Sequence, residues 1–196
     1  RASERCASDH DGTPFMIVVA ALSIVLSRVC ATDDLTIGTP HAMRPDADLW
    51  GEFGYFGNTL LLRMPVDRHT TFAEHFLSVR QTVLAAYQHQ NVPFEEVVKA
   101  LGVTPTNTTP LFQVMMVLHA FTDEAAYARD DFSLEVVETA PGIAKTDLTL
   151  DVTPGPDGVV VSLEYATDIF DEDTVRRLSA MLAEVVTVGV TAPYSM

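Results

Sequence analysis

The run Phe15 to Leu26 reads F-M-I-V-V-A-A-L-S-I-V-L, apolar on nearly every side, and Thr13-Pro14 stands in front of it. Threonine caps free N–H groups, and proline at the first helical position has no N–H to waste. The pattern predicts a helix to about Cys30 that is covered on more than one face. Asp34 to Thr39 reads as a short strand stopped by Gly38 and Pro40, followed by a loop from His41 to Gly54 and a second strand at about Asn58 to Met64. Thr71-Phe72-Ala73-Glu74 fits a capping box. Behind it Phe76, Leu77, Val83, Leu84 and Tyr87 recur near helical spacing, so a helix is predicted over 72–88.

Past that helix, Pro93 opens a brief helix that Gly102 ends. The polar loop T-P-T-N-T-T-P leads to Leu111–Leu118, whose Val and Phe content and shortness predict a buried strand. Leu148, Leu150 and Val152 alternate with Asp147, Thr149 and Asp151, the period of two that buries one strand face. P-G-P-D-G joins this strand, Thr146 to Thr153, to another at Val159 to Tyr165. Asp171 is placed to cap a last helix with an apolar stripe at Val175, Leu178, Leu182 and Val186. The domain is expected over residues 1–188, with 189–196 a tail or the start of a linker. Mixed helices and strands with at least one hairpin predict an α+β sandwich rather than a doubly wound parallel sheet.

Composition narrows the function classes. The 196 residues carry a formal net charge of −15, which repels polyphosphate and anionic lipid, so no nucleic acid and no membrane is expected as partner. The apolar run at Phe15 falls short of the ~20 residues a bilayer requires. Two cysteines, Cys6 and Cys30, are too few for a disulfide framework and are read as reduced thiols, which suggests a cytoplasmic protein. His41, His69, His75, His89 and His119 are dispersed without metal-ligand spacing, so no metal is expected. His10-Asp11-Gly12 is the one tempting catalytic string, against the reading of a polar turn before the helix.

Two motifs carry a resemblance: G-Y-F-G-N-T at Gly54 to Thr59 and H-Q-N-V-P-F-E at His89 to Glu95. With H-A-M-R-P at His41 to Pro45, P-L-F-Q-V-M at Pro110 to Met115, K-T-D-L-T-L at Lys145 to Leu150 and E-Y-A-T-D-I-F at Glu164 to Phe170, the chain resembles the C-terminal subdomain of a nonribosomal peptide synthetase condensation domain. That resemblance implies a chloramphenicol acetyltransferase-like two-layer sandwich, a mixed sheet with helices packed on one face. It further implies amide formation between a donor thioester and an acceptor amine on carrier-bound phosphopantetheine arms, with no cofactor bound by this chain. The expected partners are the N-terminal half of the condensation domain and the donor and acceptor carrier domains.

The family's H-H-x-x-x-D-G motif is not matched, because His10 and Asp11 are adjacent, so no catalytic residue is expected here. The resemblance makes Arg44 the partner of that motif's aspartate and sets Gly57, Asn58 and Thr59 on the tunnel wall or floor loop. From the residues alone, Arg44 is an exposed loop arginine, and Asn58 and Thr59 satisfy backbone groups at a strand start. His89, Gln90, Pro93, Phe94 and Glu95 read as a helix start, diagnostic but structural. Lys145 and Asp147 belong to the same structural class. Three departures stand out: Gly57 where the family usually has Val, Asn91 where it has Asp, and T-P-T-N-T-T-P without the usual R-D-x-S-R. They leave open a non-catalytic, condensation-like module that recruits a tailoring enzyme or a carrier domain.

Overall fold

Thr13 caps the first helix as its sequence requires, its hydroxyl accepting the Met16 N–H, with Pro14 inside the first turn. This helix, α1 (Pro14–Val29), buries nearly all of its length. The computed structural model describes residues 11–44, 47–104, 108–119, 142–155 and 158–194. His10, Cys6 and Pro45 lie outside them, as do Pro156 and Asp157 of the P-G-P-D-G string and residues 105–107 of T-P-T-N-T-T-P. The remaining elements are β1 (Asp34–Ala42), a 3-10 turn (Ala47–Leu49), β2 (Gly57–Pro65), α2 (Phe72–Gln88), α3 (Phe94–Ala100), β3 (Val114–Leu118), β4 (Leu148–Gly155), β5 (Gly158–Tyr165) and α4 (Glu172–Thr191).

The strands form one mixed sheet in the order β2-β1-β3-β4-β5, with β3 parallel to both neighbours and antiparallel hairpins at either edge. Ile37, Leu62, Met116 and Leu150, one from each of four strands, are fully buried and join α1, Phe76 of α2 and Leu182 of α4 in one core. Leu148, Leu150 and Val152 are buried as the period of two predicts, but Thr149 on the opposite face is buried as well, its hydroxyl 2.8 Å from that of Thr146. Asp171 caps α4 through the Thr174 N–H, and Thr71 and Glu74 close the capping box of α2.

Several boundaries differ from expectation, each for a physical reason. β1 runs through both Gly38 and Pro40. On the face away from Ile37, Gly38 leaves room for Phe112, whose ring would lie 2.5 Å from an added Cβ. Pro40 pairs only with Thr59 of β2, because β3 pairs β1 at Ile37 and Gly38 alone. Its missing N–H therefore costs no ladder bond. The stretch from Leu111 reaches strand geometry only at Val114, since Leu111 has a φ of 71°. On α2 the buried stripe is Phe72, Phe76, Val79 and Val83 with His75, while Leu77 and Leu84, one position round the helix, are exposed.

The tail expected from Gly189 is still helix to Thr191. Gly189 is buried because its bare Cα admits the Phe72 ring, which would stand 2.6 Å from a Cβ. Beyond it, Pro193 O accepts the Ala73 N–H at 2.8 Å, tying the end of the chain to the start of α2. At the other end Gly12 meets the Phe76 ring, 2.4 Å from its would-be Cβ, and Asp11 O accepts from Arg80 Nε at 2.7 Å. Asp11 and Gly12 thus seat the entry to α1.

Candidate functional site

The antiparallel register of β1 and β2 sets His41 opposite Asn58 at the end of the hairpin where the 42–57 loop departs. Asn58 is buried, and its amide has hydrogen bonds on both sides. Nδ2 donates to the carbonyls of Gln90 and Val92, each at 2.8 Å, while Oδ1 accepts the N–H groups of Thr59 at 2.9 Å and Phe94 at 3.0 Å. Only an amide offers donors and an acceptor in this arrangement. Asn58 thereby fastens the Gly54–Thr59 motif to the His89–Glu95 motif.

The second motif is arranged around that clasp. His89 ends α2, its Nδ1 2.9 Å from Ala85 O. Gln90 Oε1 bonds His41 Nε2, and the His41 ring leans on Tyr87 with centroids 5.2 Å apart. Burial pushes the Tyr87 phenol above its ordinary value. Pro93, expected as the first helical residue, occupies the N-cap of α3 instead, one residue before the helix begins at Phe94, and makes no side-chain cap. Asn58 Oδ1 supplies that cap from outside the helix. Phe94 packs edge-on to Phe112, centroids 5.8 Å apart, and Glu95 stands exposed in the first turn of α3.

Arg44 serves its own loop. Its Nη1 donates to Leu49 O, its Nη2 to Glu52 O at 3.0 Å, and the guanidinium lies 4.3 Å from the centroid of the Phe56 ring. Trp50 Nε1 donates back to Arg44 O at 3.4 Å, and Met43 N to Phe56 O at 2.6 Å. The loop base is therefore organised, yet Trp50, Phe53 and Tyr55 are 71%, 104% and 95% exposed. Beside Gly57 stands Tyr55, whose ring and hydroxyl lie 3.0 Å from the position of a Cβ.

Lys145 and Asp147 lie away from this clasp, beside a 170 Å³ pocket, where their carbonyls accept from Thr109 and Ala166. Sequence reasoning passed over His41, Tyr87 and the clasp itself. Gln90 and His41 are far apart in the chain, and only strand register brings them together. Among the described residues no cluster of three or more His, Cys, Asp or Glu could hold a metal ion, and no helix is long and apolar enough to cross a membrane. The arrangement positions backbone and projects a loop.

A family profile described as Condensation domain matches residues 2–194. A plipastatin synthase from Bacillus subtilis (strain 168) is 35% identical over 193 residues, covering 98% of this chain and 8% of that protein. A four-domain nonribosomal peptide synthetase, in a holo crystal structure with AMP and glycine, superposes with a TM-score of 0.89 at 22% identity over 99% of this chain and 16% of its own. An X-domain from teicoplanin biosynthesis, solved in complex with OxyB, superposes with a TM-score of 0.83 at 27% identity over 98% of this chain and 44% of its own. The chain thus spans less than half of each of these three proteins. The α+β sandwich with a mixed sheet is the fold these structures share with it.

Proposed function

The chain belongs to the condensation-domain family of nonribosomal peptide synthetases, and from that premise we propose that it is the C-terminal half of such a domain, supplying tunnel wall and floor loop rather than the catalytic histidine. The observation that carries this reading is the 42–57 loop. Its base is tied by Arg44 and Asn58, while its large aromatic side chains stand free of the chain's own core. Three aromatics held out in this way suit burial against another body. The N-terminal half of the condensation domain is the body the family offers.

In the reaction proposed, the acceptor amine nitrogen attacks the donor thioester carbonyl. The C–N bond forms, the C–S bond breaks, and the amine proton leaves with the donor arm's thiolate as a thiol. Both groups ride on phosphopantetheine arms of carrier domains, and holding them together supplies rate by effective concentration. Arg44 has five guanidinium N–H groups, of which the loop carbonyls engage two. The remainder suit a carboxylate arriving from the other half. Lys145, Asp147 and the His89–Glu95 segment are structural in this reading.

The test joins the chain to its upstream half, loads donor and acceptor carriers, and follows the amide product by mass spectrometry. Arg44→Ala is expected to slow product formation by roughly tenfold to a hundredfold with the melting temperature nearly unchanged. Full activity would remove Arg44 from the reaction.

A second reading is favoured by the X-domain likeness: a condensation-like module that recruits a tailoring enzyme and forms no bond. It requires that H-H-x-x-x-D-G be missing upstream of Arg1 in the parent polypeptide, and that the loaded carriers yield no amide.

A further inference from the structure

At the end of the β1/β2 hairpin remote from Asn58, roughly 27 Å away by strand rise, a groove of 610 Å³ lies between the C-terminal part of α1, the start of α2 and the last turns of α4. Its volume falls within the range of small-molecule sites. Ile24, Val66, Phe72, Val185 and Val188 give it apolar walls, and Arg28 and Arg68 with Asp67 and Glu184 put two charges of each sign on its lining. Nothing in the condensation reading uses it.

One polar side chain lies at its base. His75 is 5% exposed, and its Nε2 is 2.8 Å from Ser23 Oγ. The Ser23 hydroxyl has a single hydrogen, which it donates to Ala20 O at 2.9 Å. Nε2 therefore carries the ring hydrogen and donates it to Ser23 Oγ, and Nδ1 presents a lone pair. Every enclosed side-chain nitrogen or oxygen among the described residues has a hydrogen-bond partner. Nδ1 makes no hydrogen bond, so it opens onto the groove that His75 lines. Burial also pushes the imidazole below its ordinary value, against a smaller opposing effect of the Ala20 carbonyl, which keeps the ring neutral.

We propose that this groove is a binding site for a neutral ligand with an apolar body and one hydrogen-bond donor, a phenol-type hydroxyl or indole-type N–H, which His75 Nδ1 accepts. Apolar walls select the body, and the balanced charges give no preference for an ion. The acceptor fixes orientation at the base of the groove, because a donor set against the apolar walls instead would lose its bond to water without replacement.

The test titrates the chain with 4-phenylphenol and with 4-methoxybiphenyl, the same body with its donor capped, by calorimetry. The phenol is expected to bind about tenfold more tightly than the ether. His75→Phe should reduce that preference to within about twofold. Val188→Trp, on a wall position 47% exposed and so tolerant of substitution, should abolish binding of both while circular dichroism stays unchanged. Equal affinities for the two compounds, no binding of either, or binding indifferent to Val188→Trp would each overturn the assignment.

Discussion

Asn58 Oδ1 accepts the backbone N–H of Phe94 at 3.0 Å, so a strand residue caps a helix that begins more than thirty positions later. The same amide holds the carbonyls of Gln90 and Val92. Removing it strands two carbonyls and two N–H groups at a buried position. Asn58→Ala is expected to destabilise the chain by roughly 2–4 kcal/mol, read as a shifted urea midpoint. Amide exchange should quicken at Thr59 and Phe94 ahead of the α1 core. A loss under about 0.5 kcal/mol would mean water replaces the clasp.

Gly189 sets helix propensity against packing. Alanine is worth about 1 kcal/mol over glycine inside a helix, but here its Cβ would come within 2.6 Å of the Phe72 ring. Overpacking costs about 1–3 kcal/mol, and the ring is itself buried, so the clash wins. Gly189→Ala should lower the melting temperature, and combining it with Phe72→Leu should cost less than the sum of the two single changes. Additive losses would argue that the ring moves freely.

His75 predicts an acid limb of stability. Burial, the larger influence, holds its folded-state pKa below the ordinary 6.5. As pH falls below about 6.5 the unfolded chain takes up a proton that the folded chain refuses, so stability is lost. The loss is at most about 1.4 kcal/mol per pH unit. Between pH 7.5 and 5.5 the wild-type chain should therefore lose more stability than His75→Phe does. Parallel pH profiles for the two would show that His75 titrates alike folded and unfolded.

What the sequence made legible follows from how local each signal is. The Thr71–Glu74 capping box and the caps at Thr13 and Asp171 need only neighbouring residues, and each is found where the pattern placed it. Gly38 and Pro40 misled because their meaning depends on Phe112 and on how little of β1 is paired with β3. Gly189 was read as the start of a tail for want of Phe72. Both family motifs could be quoted residue by residue, yet the Asn58 clasp that joins them is a relation between a strand register and a helix start. Neither periodicity nor spacing carries it.

In the function proposed, this chain shapes a condensation site without supplying its catalyst. The most direct measurement is the amount of amide formed from loaded donor and acceptor carriers, first with the chain alone and then with the chain joined to its upstream half. No product above background is expected from the chain alone, and ready product from the joined domain. Amide formed by the chain alone, or its absence from the joined domain with both carriers loaded, would contradict that function.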